Sequence, residues 1–142
     1  MNETMTEAEK VVLAIDPGRL KCGVAVVRKS APQSEVLHRC VVETSQLGPL
    51  LKQLADKFTP QIIIIGNGTS SSQTMRTAEE LKLAPILLVD EQSTTLLARK
   101  RYFEENPPRG LRRLIPTSLQ TPPGAYDDYV AVILAQRYFG GV

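Results

Sequence analysis

The chain has 142 residues, a formal net charge of +2, 42% hydrophobic residues, two cysteines and one histidine. That length suits a single domain able to bury an ordinary core without disulfides or structural metals, and no apolar run approaches the roughly 20 residues of a membrane span. With His38 the only imidazole, the composition argues against zinc hydrolase or Ser-His chemistry, so carboxylates must carry any hydrolysis.

Residues 1–9 are polar and acidic and lack the basic and apolar regions of a secretory signal. They read as a flexible tail of a cytoplasmic protein, ahead of one domain over 10–142. VVLAI (11–15) and GVAVV (23–27) are β-branched runs separated by a Pro-Gly turn, and EVLHRCVVE (35–43) follows, which predicts an antiparallel meander. Cys22 and Cys40 lie in these runs and read as reduced core thiols. The pattern then becomes helical over 44–58, with Leu47, Leu50, Leu51, Leu54, Ala55 and Phe58 on one face, Thr44 or Ser45 as N-cap, and Pro49 confining the start.

QIIIIG (61–66) is apolar without alternation, as a central strand covered on both faces should be. A helix over 70–83 follows, and PILLVDE (85–91) repeats the buried-strand pattern. The remainder predicts a helix from Thr94 to Glu105, a Pro- and Arg-rich loop from Asn106 to Gly124, and a closing helix over 125–139. The order β-β-β-α-β-α-β-α-α makes an α/β fold, a mixed five-stranded sheet with helices on both faces.

Acids recur where apolar elements end: Asp16 after the first strand, Asp90-Glu91 after the last, and Asp127-Asp128 at the start of the closing helix. Groups beyond the carboxyl ends of parallel strands gather at one edge. Carboxylates without His or Cys suit hard cations such as Mg²⁺ or Mn²⁺, and two such ions about 4 Å apart hydrolyse phosphodiesters. Each acid also has a plainer role. Asp16 suits the turn, Glu91 suits a strand end or, with Ser93, a helix cap, and Asp127 and Asp128 suit the positive end of a helix dipole.

On a helical wheel Asp127 shares a face with Ala131, Leu134 and Tyr138, opposite Gln136 as the solvent-facing position, whereas Asp128 is offset by about 100°. Asp127 is therefore the preferred ligand and Asp128 a rival or helper. Ala131 and Ala135 allow close approach to the sheet. Arg99, Lys100, Arg101, Arg109, Arg112 and Arg113 cluster against only Glu104 and Glu105. They form either a solvated face or a contact for a phosphate backbone, with Arg19 and Lys21 nearer Asp16. GNGTSSSQT (66–74) matches neither G-x-G-x-x-G nor a P-loop and reads as a helix cap whose N-terminus could also touch a phosphate.

IDPGRLKCGVAVV, IIIIGNGTSSS, VDEQSTTLLARKRY and DDYVAVILAQRYF resemble, in order and spacing, the YqgF (RuvX) family of Holliday junction resolvases. That family belongs to the RNase H-like superfamily, with RuvC a more distant relative. The resemblance implies a three-layer RNase H-like nuclease fold, Mg²⁺ or Mn²⁺ held by Asp16, Glu91 and Asp127, glycines at Gly18 and Gly23, and a basic residue at Lys21. It departs from the family at Asp-Pro-Gly-Arg, at Gln92 in place of the common Arg, and at GNGT in place of Gly-x-Pro.

The expected function is a metal-dependent endonuclease of structured nucleic acid, acting on the 5′ end of precursor 16S ribosomal RNA, as a monomer or homodimer. Alternatives are a resolvase of branched DNA, a non-catalytic RNA- or DNA-binding module of the same fold, and an actin-like ATPase or sugar kinase. The last needs two lobes with a second similar turn, and this chain has one.

Overall fold

A computed structural model describes residues 10–30, 33–68, 70–91, 94–120, 122 and 126–140; the expected tail over 1–9 lies outside them. β1 (Val11–Asp16) and β2 (Lys21–Ser30) pair antiparallel, and β3 (Gln33–Glu43) adds antiparallel to β2. β4 (Ile62–Gly66) pairs parallel to the other side of β1, and β5 (Ile86–Val89) pairs parallel to β4. The sheet order is therefore β3-β2-β1-β4-β5. The helices are α1 (Leu47–Phe58), α2 (Ser71–Leu81), α3 (Thr94–Glu105) and α4 (Asp127–Tyr138).

The two-residue period of the strands divides the core in two. Leu13, Ile15, Val24, Val26, Ile63 and Ile65 face α1 and α2, where Leu47, Leu51, Leu54 and Ala78 cover them. Val12, Ala14, Ala25, Val27 and Ile64 face α4, which α3 backs through Ala98. Because β1 and β4 bury both faces, neither alternates in polarity. No helix of the described residues is long and apolar enough to cross a membrane.

Several expectations are corrected. Thr44–Gln46 forms a 3-10 turn and α1 begins at Leu47, so Pro49 sits in the first turn, where a missing N–H is harmless. Neither Thr44 nor Ser45 caps it; the Thr44 hydroxyl donates to the Gly18 carbonyl (2.9 Å). β5 is an edge strand, with Leu87 and Leu88 39% and 46% exposed, rather than a buried central one. Cys22 is buried as expected, but Cys40 on edge strand β3 is only half-buried. The loop after α3 carries two further 3-10 turns, Gly110–Leu114 and Thr117–Leu119.

Candidate active site

Parallel pairing of β1, β4 and β5 aligns their carboxyl ends. Asp16 is the last residue of β1 and Glu91 lies two residues beyond β5, so both reach the same sheet edge. The Asp16 carboxyl is hydrogen-bonded to that of Glu91. Glu91 is fixed through its backbone: its N–H donates to Asn67 Oδ1 (3.2 Å), and its carbonyl accepts from the Thr94 N–H (3.0 Å) and hydroxyl (2.5 Å).

The side chain of Glu91 occupies space that only glycine leaves open. A Cβ on Gly66 would stand 2.6 Å from Glu91 Cγ and Cδ, and one on Gly68 would stand 2.5 Å from Oε2. The GNG segment is thus a seat for Glu91 as well as the entry to α2: the Gly68 carbonyl accepts from the Ser71 N–H (3.1 Å), and Ser70, at the N-cap, makes no side-chain capping bond. Thr69, Gln92 and Ser93 lie outside the described residues.

Asp127 opens α4. A Cβ on Gly23 would fall 1.9 Å from the Asp127 carbonyl oxygen, so only glycine there lets the helix start descend onto β2. Gly23 is the register partner of Asp16, which brings the third acid to the same edge. Ala131 and Ala135, fully buried, continue the close approach.

Electrostatics register the crowding. Burial, the hydrogen bond with Glu91, and the charges of Glu91 and Asp127 together push the Asp16 carboxyl up to about 9. Asp127 is also raised, by burial and by Asp128, while Lys21 acts in the opposite direction. Asp16 therefore holds its proton far above the ordinary carboxylate range, beside the Glu91 carboxyl. As the side chains stand, no group of three His, Cys, Asp or Glu among the described residues forms a metal cage; the Asp16–Glu91 hydrogen bond draws two of the acids onto each other instead.

Asp128 points elsewhere. Its Oδ2 accepts from Arg39 Nε on β3 (3.1 Å), and the Arg39 guanidinium stacks on the Tyr129 ring (4.2 Å) and reaches Glu105 (3.4 Å). Tyr129 in turn donates to Glu105 (2.9 Å). Asp128 thus ties α4 to β3 through Arg39, while its charge also acts on Asp127. The wheel argument also needs correction. Gln136 is not the solvent-facing position, since it is half-buried and bonds Arg101 (2.8 Å) and Ser34 (3.1 Å). Helix α4 is buried from Tyr129 to Ala135, because the sheet covers one side and α3 another.

Of the basic residues, Lys21 stands close enough for Asp127 to feel its charge, and Arg19 is exposed in the turn before it. Arg99 donates to the Tyr126 hydroxyl (3.2 Å) and, like Arg101, leans on α4 rather than forming a free stripe; Lys100 is exposed. Arg109, Arg112 and Arg113 are exposed around the first 3-10 turn after α3. Sequence reasoning missed Gly66, Asn67, Gly68 and Arg39. For the first three a signal existed, a Gly-x-Gly directly after the strand next to β1, since strand-end glycine marks close approach. Arg39 left no signal.

No protein-family model and no curated protein sequence matches the chain. Among solved structures, it is similar to Thermus thermophilus RuvC, with a TM-score of 0.56 and 15% identity over 92% of this chain and 95% of that one. T. thermophilus RuvC in complex with Holliday junction substrate gives 0.54 and 18%, over 93% and 97%. The human cytomegalovirus terminase nuclease domain, soaked with Mn, gives 0.51 and 11%, over 92% and 82%. The mixed five-stranded sheet with helices on both faces is accordingly the RNase H-like fold found in RuvC.

Proposed function

We propose that this chain is a divalent-metal-dependent endonuclease of structured nucleic acid. The observation that carries the reading is the crowding of Asp16, Glu91 and Asp127 at one sheet edge, strong enough to hold a proton on Asp16 up to about pH 9. A protein gains no stability from such crowding, and a hard cation relieves it. The donor set fits Mg²⁺ or Mn²⁺, being all carboxylate oxygen, and Asp16, Glu91 and Asp127 would hold the ion. When bound, it supplies activation of a water and stabilisation of the leaving oxygen. Lys21, whose charge acts on Asp127, would steady a phosphate, and Arg19 and the arginines after α3 would take flanking phosphates.

The resemblance of its motifs to the YqgF (RuvX) family allows both rRNA maturation and junction resolution, and of these our reading takes the 5′ end of precursor 16S ribosomal RNA as substrate. The fold's likeness to a RuvC bound to a Holliday junction favours branched DNA as the second reading. The test is a cleavage assay on both substrates with and without Mg²⁺ or Mn²⁺. Cutting should require the metal and fall by at least about a hundredfold in Asp16→Asn. Activity unchanged by metal removal and by the substitution overturns the reading, and salt-sensitive binding without metal-dependent turnover identifies a non-catalytic module.

A further inference from the structure

The segment after α3 is ordered in a way that keeps apolar side chains in water. Leu111, Leu114 and Leu119 are 82%, 76% and 77% exposed, yet they do not sit on a frayed loop. Gln120, itself buried, donates through Nε2 to the carbonyls of Arg112 and Ile115, each at 2.9 Å. Backbone bonds close both 3-10 turns, from Ile115 to Arg112 (3.1 Å) and from Leu119 to Pro116 (2.9 Å). A buried amide thus pins a strap whose leucines gain nothing from the fold, which is the arrangement of a surface that displays them to a partner.

The chemistry of that partner follows from the charges. From residue 106 to 120 the chain carries Arg109, Arg112 and Arg113 and no acid. An anionic partner with apolar surface between its charges fits both halves of the pattern, and nucleic acid has it: phosphates for the arginines and base faces for the leucines. Apolar side chains enter where a base step is unstacked, and unstacking costs least where the helix is already interrupted.

We propose that the Gly110–Leu119 strap is a wedge that recognises interrupted helices, with Leu111, Leu114 and Leu119 entering at an unstacked step and the arginines holding the phosphates beside it. This rests on the reading of the chain as a nucleic-acid-binding protein, though not on its cleavage. The test uses the full chain in EDTA and measures anisotropy on a bulged duplex and on an uninterrupted duplex of the same length, as RNA and as DNA. A 2-aminopurine flanks the bulge.

The native chain should prefer the bulged duplex by about tenfold and brighten the fluorophore. Replacing the three leucines by serine should cut the preference to about twofold and abolish the brightening, leaving the salt slope unchanged. Arg109→Gln with Arg113→Gln should weaken binding to both duplexes and flatten the slope. A leucine variant that keeps the native preference overturns the proposal. So does one that turns a dimer into a monomer in sedimentation, which makes the strap an interface between copies, or native binding to phosphatidylserine vesicles but to no duplex. If the native chain binds both duplexes equally, the wedge fails and the nucleic-acid reading stands; if it binds neither, that reading fails first.

Discussion

Asp16 concentrates the cost of the site in one carboxyl. Its pKa rises from the model-compound 3.8 to about 9 on folding, so between those values the folded chain binds more protons than the unfolded one. Stability is then fully present below about pH 4 and is lost as pH climbs toward 9. Asp16→Asn keeps the hydrogen bond to Glu91 without the titration. Thermal melts from pH 5 to 9 should show the native midpoint falling and the variant's staying flatter, with the variant ahead by about 2 kcal/mol at pH 8. Mn²⁺ should raise the native midpoint and leave the variant's in place; identical pH profiles for the two proteins would contradict the assignment. Gly66→Ala tests the seat of Glu91, because its methyl would land 2.6 Å from the acid's Cγ and Cδ. It should cost about 1–3 kcal/mol in chemical denaturation and abolish the Mn²⁺ shift while the circular dichroism spectrum stays native. The sequence already picks out Asp16 and Asp127, because an acid at the end of an apolar element is costly wherever the fold puts it. The need for Gly66 and Gly68 depends on which strand neighbours β1, and that is a tertiary fact.

At the level of elements, α4 shows where periodicity stops helping. A helix buried from Tyr129 to Ala135 has no polar stripe to orient it, so the wheel chooses Gln136 as the solvent position when Arg101 and Ser34 in fact hold it. The same blindness covers β5, since an apolar run reads alike at the centre and at the edge of a sheet, and only the order β3-β2-β1-β4-β5 exposes Leu87 and Leu88. The antiparallel meander and the two βα crossovers were legible because short turns and right-handed connections leave few alternatives. Beside its packing on the sheet, α4 is tied to β3 by the Arg39–Asp128 pair, backed by Tyr129 and Glu105. Arg39→Ala leaves the shielded Asp128 carboxylate without its cation and should cost about 2 kcal/mol in denaturant titration. Adding Asp128→Asn should recover part of that loss, as a double-mutant cycle would show, and strictly additive losses would rule the tie out.

Across the whole molecule a net charge of +2 conceals a division: carboxylates converge at the sheet edge where Asp16, Glu91 and Asp127 meet, while arginines collect on the strap after α3. Any phosphate backbone drawn to the arginines and passing that edge meets the carboxylate cluster of Asp16, Glu91 and Asp127, whose crowding already raises Asp16 and Asp127. Divalent cations normally weaken protein–nucleic acid complexes by competing for phosphates; here they should do the reverse. At constant ionic strength, Ca²⁺ or Mn²⁺ at low millimolar concentration should tighten binding of a non-cleavable phosphorothioate substrate by about tenfold, or about 1.4 kcal/mol. Glu91→Gln with Asp127→Asn removes the repulsion without a cation, so that variant should bind tightly in EDTA and weaken when the ion is added. The sign of the divalent effect, opposite in the two proteins, is what anisotropy titrations would read, and the same sign in both would mean that the carboxylate edge and the nucleic acid never meet.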